Sequence, residues 1–197
     1  MITCGIDVGS ITTKAAVVKD GEVIADKVVL TGYNARLAGE KVFDEILQES
    51  GLSRAAIDKT IATGYGRNSV DFADKAVTEI TCHAAGAYYL NPEVRSIIDI
   101  GGQDSKAIAV NDTGSPLNFA MNDKCAAGTG RFLEVMARAL EVDLDNFGDF
   151  SLKAQKPSSI SSLCTVFAES EVISLIAKGE KGRISLPASM MPLLPGW

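Results

Sequence analysis

Two of the four cysteines stand directly ahead of segments with helical apolar spacing, a setting that suits a thiol to metal ligation. Cys125 opens Cys125-Ala-Ala-Gly-Thr-Gly-Arg131, after which Phe132, Leu133, Met136, Ala139 and Leu140 recur at the three- and four-residue spacing of one helix face. Cys164 ends the run Ile160-Ser-Ser-Leu-Cys164 and precedes a helix-like stretch with Phe167, Val172, Leu175 and Ile176 as its apolar positions. Unpaired amides and the positive end of a helix dipole favour the thiolate, which is the ligating form. On the residues alone a plainer reading stands beside this one, in which both are buried or merely reactive thiols. Cys4, in a strand-like run, and Cys82, in a helix-like one, read as small core residues. No Cys-x-x-Cys pair occurs, so a zinc ribbon or thioredoxin-type motif has no support.

A second constellation is doubled. Asp7-Val-Gly-Ser-Ile-Thr-Thr-Lys14 aligns without gaps onto Asp99-Ile-Gly-Gly-Gln-Asp-Ser-Lys106, with Asp, Gly, a hydroxyl residue and Lys at matching offsets. Each copy joins a strand to a glycine turn and a second strand, the pattern of two homologous half-domains. Two such hairpins can face each other across a cleft and hold a polyphosphate, because glycine lets backbone amides approach the oxygens closely. Ser10, Thr12, Thr13, Gln103 and Ser105 can add donors, while Asp7 and Asp99 at the strand ends can hold a hydrated Mg²⁺. Asp104 is the candidate for work at a γ-phosphate, positioning water together with Gln103. The plainer reading is a pair of ordinary hairpin turns with solvated aspartates. No Gly-x-x-x-x-Gly-Lys-Ser/Thr run is present, which excludes a P-loop. His83, the one histidine, reads as packed or hydrogen-bonded, and Glu169 and Glu171 as a solvated face.

These residues need strands and helices to hold them, and the chain supplies an α/β order. Strands are expected at Ile2 to Asp7, Thr13 to Lys19 and Glu22 to Leu30, with Asp20-Gly21 as a hairpin turn. A helix follows from about Ala35 to Ser50, facing its core with Leu37, Val42, Phe43, Ile46 and Leu47 and stopped by Gly51. Lys59 to Thr63 reads as a buried strand, Gly64 to Asn68 as a loop and Thr78 to Leu90 as a helix. The opening then recurs in strands at Arg95 to Ile100, Ser105 to Val110 and Pro116 to Met121.

The 197 residues, 46% of them hydrophobic, are enough for a buried core. A net charge of −6 without any Lys/Arg block argues against nucleic acid or an anionic membrane surface as partner. No run reaches membrane-spanning length and no signal-type N-terminus precedes the first strand, so a cytoplasmic location is expected.

The two octamers, Asn122-Asp-Lys-Cys-Ala-Ala-Gly-Thr-Gly130, Cys164-Thr-Val-Phe-Ala-Glu-Ser-Glu171 and Thr78-Glu-Ile-Thr-Cys-His-Ala84 together resemble the activator ATPases of 2-hydroxyacyl-CoA dehydratases, from Met1 to about Lys181. The resemblance implies the actin-like ATPase fold of acetate and sugar kinases, heat-shock ATPases and actin, built from two RNase H-like domains. These would span residues 1–94 and 95–182, the second incomplete and carrying the thiols, with an atypical tail at 183–197. It implies a homodimer sharing one 4Fe-4S cluster, with Cys125 and Cys164 as the ligands in each chain. Gly9, Lys14, Gly101, Gly102 and Lys106 join the residues above as the ATP/ADP sites. The implied activity couples ATP hydrolysis to the transfer of one electron, received from ferredoxin or flavodoxin, to a 2-hydroxyacyl-CoA dehydratase or a related benzoyl-CoA reductase. Family members continue past this point with a Gly-Gly segment that contacts adenosine. The tail from Arg183, broken by Pro187, Pro192 and Pro195, has no such segment and reads as a truncated or frame-shifted end, or a natural short variant. Two other functions fit parts of the pattern: a phosphotransferase acting on acetate or a sugar, which leaves both cysteines without a role, and a non-catalytic nucleotide-binding module.

Overall fold

The computed structural model describes residues 1–153, 158, 160, 161 and 164–179; the expected tail at 183–197 lies outside them. The chain divides into two compact units, one formed by Met1–Arg95 with Val110–Pro116 and the other by Ser96–Ala109 with the described residues from Leu117 onward.

The first unit is a five-stranded mixed sheet ordered β3-β2-β1-β4-β5. Strand β1 (Ile2–Val8) lies at its centre, antiparallel to β2 (Thr12–Lys19) and parallel to β4 (Lys59–Thr63). Strand β3 (Glu22–Leu30) pairs outside β2, and β5 (Lys75–Ala76) is a two-residue edge beside β4. The β2–β3 turn places Asp20 at φ 52° and Gly21 at φ 92°, the left-handed pair that a two-residue hairpin demands. Period-two alternation sends Cys4, Ile6, Val8, Ala15 and Val17 to one face, and helix α1 (Ala35–Ser50) lays Val42, Phe43, Ile46 and Leu47 on them. Asn34 caps α1 by accepting the Leu37 amide at 3.1 Å, and Gly51 ends it at φ 68°. Helix α2 (Glu79–Leu90), capped by Thr78, buries only Ala84 fully. Cys82 is therefore half-buried, not a core residue; it lines a recess of about 360 Å³ with Asp7, Lys14, Val28 and Thr63.

The second unit repeats the three-stranded opening as β6 (Ser96–Ile100), β7 (Ser105–Val110) and β8 (Pro116–Asn122). Its helices α3 (Gly130–Ala139), α4 (Leu144–Leu152) and α5 (Thr165–Ala177) enclose a separate core of Phe132, Met136, Leu140, Phe147, Ala168 and Val172. The sequence did not signal α4. It is short and interrupted by Gly148, and only Leu144, Phe147 and Phe150 hint at a helical face. Among the described residues no helix is long and apolar enough to cross a membrane.

Phe43 is the pivot of the first core: its ring stacks on Phe72 at 4.9 Å, and the Arg54 guanidinium lies 4.8 Å from its centroid. Phe43→Ala is expected to lower stability by about 3–5 kcal/mol through lost burial and a residual cavity, as read from the midpoint of urea unfolding followed by circular dichroism.

Candidate functional site

Each octamer folds as a strand end, a tight turn and the start of the next strand. In the first, the Gly9 amide donates to Thr12 O at 3.1 Å, and a Cβ on Gly9 would lie 2.8 Å from that same oxygen, so the turn admits only glycine. Asp7 and Lys14 are register partners on β1 and β2, and their side chains pair at 3.2 Å while both stay partly exposed. Ser10 is exposed and Thr12 half-buried. Gly64, at φ 82°, packs under this strand end, where a Cβ would overlap Asp7 Oδ1 and Val8 O. Thr13 differs from its expected role. It is fully buried, and its hydroxyl lies 2.9 Å from Thr31 Oγ1, which donates to Gly9 O at 2.8 Å. Thr31 has one hydroxyl proton and gives it to Gly9, so Thr13 is the donor of that pair and braces the loop from beneath.

The second octamer has the same skeleton with a different interior. The Gly101 amide donates to Asp104 O at 2.9 Å, and Asp99 and Lys106 are register partners. Here the lysine is buried, with its side chain 3% exposed, and it bridges Asp99 Oδ2 at 3.2 Å and Asp104 Oδ1 at 2.6 Å. Asp104, expected to work at a γ-phosphate, is instead a buried carboxylate turned inward onto an ammonium, and Gln103 is the exposed side chain at the tip. Position 12 of the first copy is threonine where the second has Asp104, and that one carboxylate accounts for the buried Lys106 beside a half-exposed Lys14. A Cβ on Gly101 would overlap Asp104 Oδ1. Ser105 is buried, and its hydroxyl has no hydrogen-bond partner among the described residues.

The first thiol hangs from this second loop. Asn122 Nδ2 donates to Cys125 O at 2.9 Å and to Ala127 O at 3.0 Å, while Thr129 Oγ1 donates to Ala126 O at 2.6 Å. Gly128, at φ 73°, then turns the chain into α3. The first two amides of α3 are consumed by the octamer: Gly130 N donates to Gly101 O at 2.8 Å and Arg131 N to Gly102 O at 2.9 Å. Cys125 precedes a glycine turn and a helix as expected, but the amides expected to favour its thiolate are not free, because the leading donors of α3 point into the Gly101-Gly102 turn. Cys164 does take such a setting, as the N-cap residue of α5. Glu171, expected on a solvated face, accepts from Ser161 N at 2.7 Å and Ser161 Oγ at 2.8 Å, and so ties α5 to the segment leading to Cys164. Thr31 went unread in the sequence, and the contacts of Asn122 and Glu171 were missed, because each acts on backbone or hydroxyl groups that only the fold brings near.

The cysteines divide by environment. Cys125 and Cys164 are exposed free thiols, on segments whose helices α3 and α5 share one core. Cys4 is 1% exposed, and burial pushes its thiol up to about 11. Two accessible thiols per chain form the kind of donor set that a soft, thiolate-bound metal group uses. Among the described residues, no group of three or more His, Cys, Asp or Glu side chains converges within the chain.

Two outcomes are expected from this geometry. Lys106→Met leaves Asp99 and Asp104 without their ammonium and is expected to lower stability by about 3–5 kcal/mol, measured by urea unfolding. With iodoacetamide at pH 8 under anaerobic conditions, Cys125 and Cys164 are expected to alkylate first. Cys4, whose thiolate fraction is on the order of one in a thousand, should alkylate only after unfolding, as read by peptide mass spectrometry.

Comparison with known proteins adds a family to this geometry. The family model described as the BadF/BadG/BcrA/BcrD ATPase family matches residues 4–184. The activator of lactoyl-CoA dehydratase from Anaerotignum propionicum is 52% identical over 180 residues, which covers 91% of this chain and 69% of that protein. The crystal structure of the Acidaminococcus fermentans (R)-2-hydroxyglutaryl-CoA dehydratase component A superposes with a TM-score of 0.85 at 48% identity, over 91% of this chain and 69% of that one. The activator of the 2-hydroxyisocaproyl-CoA dehydratase from Clostridium difficile, with bound ADPNP, gives 0.85 at 45% identity, over 93% and 69%. The fold is that of the actin-like ATPases, as the family resemblance of the motifs implies. With the family model spanning nearly the whole described chain and relatives this similar, the protein belongs to the BadF/BadG/BcrA/BcrD ATPase family.

Proposed function

We propose that this chain is an ATP-dependent reductive activator that passes one electron to a 2-hydroxyacyl-CoA dehydratase of the 2-hydroxyglutaryl-CoA type, with a benzoyl-CoA reductase as the alternative partner. One observation carries the reading: the helix that follows Cys125 is hydrogen-bonded through its first two amides to the Gly101-Gly102 turn. A shift of that turn on nucleotide binding or hydrolysis moves the base of α3, and with it the loop that ends at Cys125. Relatives at this level of similarity that are dehydratase activators, one of them with ADPNP bound, support both the nucleotide and the partner class.

In this proposal the RNase H-like halves occupy residues 1–94 and 95–182. Backbone amides of Ser10 and Gly102 meet nucleotide phosphate oxygens, while Gly9 and Gly101, whose own amides close the turns on Thr12 O and Asp104 O, let the loops approach; Lys14 supplies an accessible ammonium, and Asp7 and Asp99 hold a hydrated Mg²⁺. Gln103 orients the attacking water, and Asp104 fixes the turn that carries it through Lys106. Cys125 and Cys164 ligate a 4Fe-4S cluster, whose four thiolates come from two copies of the chain related by a twofold axis. Such a cluster, once bound, supplies one-electron chemistry at low potential, replenished by ferredoxin or flavodoxin.

The ligand assignment is tested without any partner enzyme. After anaerobic reconstitution, about four irons and four sulfides are expected per dimer, with a reduced-state electron paramagnetic resonance signal after dithionite. Cys125→Ala and Cys164→Ala are each expected to lose most of the iron while keeping the helical circular dichroism of the parent. Full iron content in either variant would remove that cysteine from the ligand set.

A further inference from the structure

We infer that Thr31 is a positioning residue of the first phosphate loop, acting through the Gly9 carbonyl; the inference rests on the proposed reading of that loop as a nucleotide site. Thr31 follows β3 and touches the turn at two places. Its amide donates to Ile11 O at 3.0 Å, and its hydroxyl donates to Gly9 O at 2.8 Å while accepting from the buried Thr13 hydroxyl at 2.9 Å. The turn's own bond, Gly9 N to Thr12 O, closes the same four residues from within. Gly9 is therefore held at both its N–H and its carbonyl, and the amides of the following residues, which would face phosphate, are fixed in direction.

The internal repeat shows independently that this carbonyl is a position the fold ties down. Laying Asp7 on Asp99 puts Gly9 on Gly101, Thr13 on Ser105 and Thr31 on Asp123. In the second copy Asp123 is exposed and Ser105 Oγ has no hydrogen-bond partner among the described residues, so the hydroxyl relay is missing. Gly101 O nevertheless receives a donor, the amide of Gly130 at 2.8 Å. Both loops thus hold the carbonyl of their equivalent glycine, one with a side-chain hydroxyl and the other with a helix amide. Thr31 is the first loop's substitute for a helix terminus, and nothing in the sequence around it marks that role.

Thr31→Val keeps the shape and removes the donor, Thr31→Ser keeps the donor, and Thr13→Val/Thr31→Val removes both hydroxyls so that neither is left orphaned in the core. Two readouts on the full chain separate position from mere stability: amide hydrogen exchange of residues 9–12 without ligand, and the dissociation constant for Mg·ADPNP. Thr31→Val and the double variant are expected to exchange on the order of tenfold faster over 9–12 and to bind nucleotide on the order of tenfold more weakly, with Thr31→Ser close to the parent in both. A folded double variant with parental exchange and parental affinity would overturn the inference, as would a Thr31→Ser chain as impaired as Thr31→Val. A parent chain that binds no nucleotide would instead remove the nucleotide reading on which the inference stands.

Discussion

Two hydrogen bonds, from the Gly130 and Arg131 amides to the Gly101 and Gly102 carbonyls, join the chemistry-bearing parts of the second unit into one piece. A helix N-terminus leaves its leading amides unsatisfied, and a tight glycine turn leaves outward carbonyls unsatisfied; here each solves the problem of the other. The fit requires close approach. A Cβ on Gly130 would sit 3.3 Å from Gly101 O and 3.4 Å from the Gly102 Cα, so a side chain there would push the helix off the turn. Asn122 and Thr129 then fold the intervening residues back by bonding the carbonyls of Cys125, Ala126 and Ala127. The exposed thiol is therefore carried on a braced loop and not on a free one, and that loop is tied to the same Gly101-Gly102 turn that the proposed function gives to phosphate.

The same constraint explains why two homologous hairpins support their helices so differently. In the first unit the helix after the third strand starts from its own cap at Asn34 and lies across β1, β2 and β3, leaving Ile6 and Val8 wholly buried. The equivalent positions in the second unit, Ile98 and Ile100, are 63% and 39% exposed. Helix α3 is held at its N-terminus by the turn and spends its apolar stripe on α4 and α5 instead. The first unit uses its helix to close a core, while the second uses its helix to connect a turn to a second thiol-bearing segment.

Much of this was legible in the residues. The hairpin turn at Asp20-Gly21, the glycine stop of α1, its apolar stripe apart from the exposed Leu37, the strand at Lys59–Thr63, though it is only partly buried, and the second hairpin fall where pattern and turn chemistry place them, because those signals act over a few neighbouring residues. The octamer repeat was equally plain as a sign of two homologous halves, and the fold itself followed from the family that the octamers and cysteine motifs together resemble. What escaped was set by contacts between distant residues. Lys14 and Lys106 match in sequence but differ in burial, since only the second has Asp104 beneath it. The glycine turn between Cys125 and its helix was plain, but the leading amides expected to be free for the thiol are spent on Gly101 and Gly102. Thr13 looked like a ligand donor, and only the return of β3 with Thr31 shows it turned inward.

The buried Asp99–Lys106–Asp104 group is best understood by what it fixes, not by what it adds to stability. Removing an ammonium and two carboxylates from water carries a desolvation penalty that their attraction roughly offsets, so the intact group contributes little net folding energy. Its effect is geometric. Asp104 contributes both the carboxylate that Lys106 holds and the carbonyl that accepts the Gly101 amide, so the ion pair and the turn are locked through one residue. The carbonyls of that turn then dictate where α3 begins. In the first loop, with threonine at the matching position and a half-exposed lysine, no such lock exists, and the Thr13–Thr31 relay performs the task with neutral groups at far smaller desolvation penalty. An acidic residue in place of Thr12 would bury a second charge without a helix to orient. The two loops diverge because only one of them has a helix and a thiol to carry.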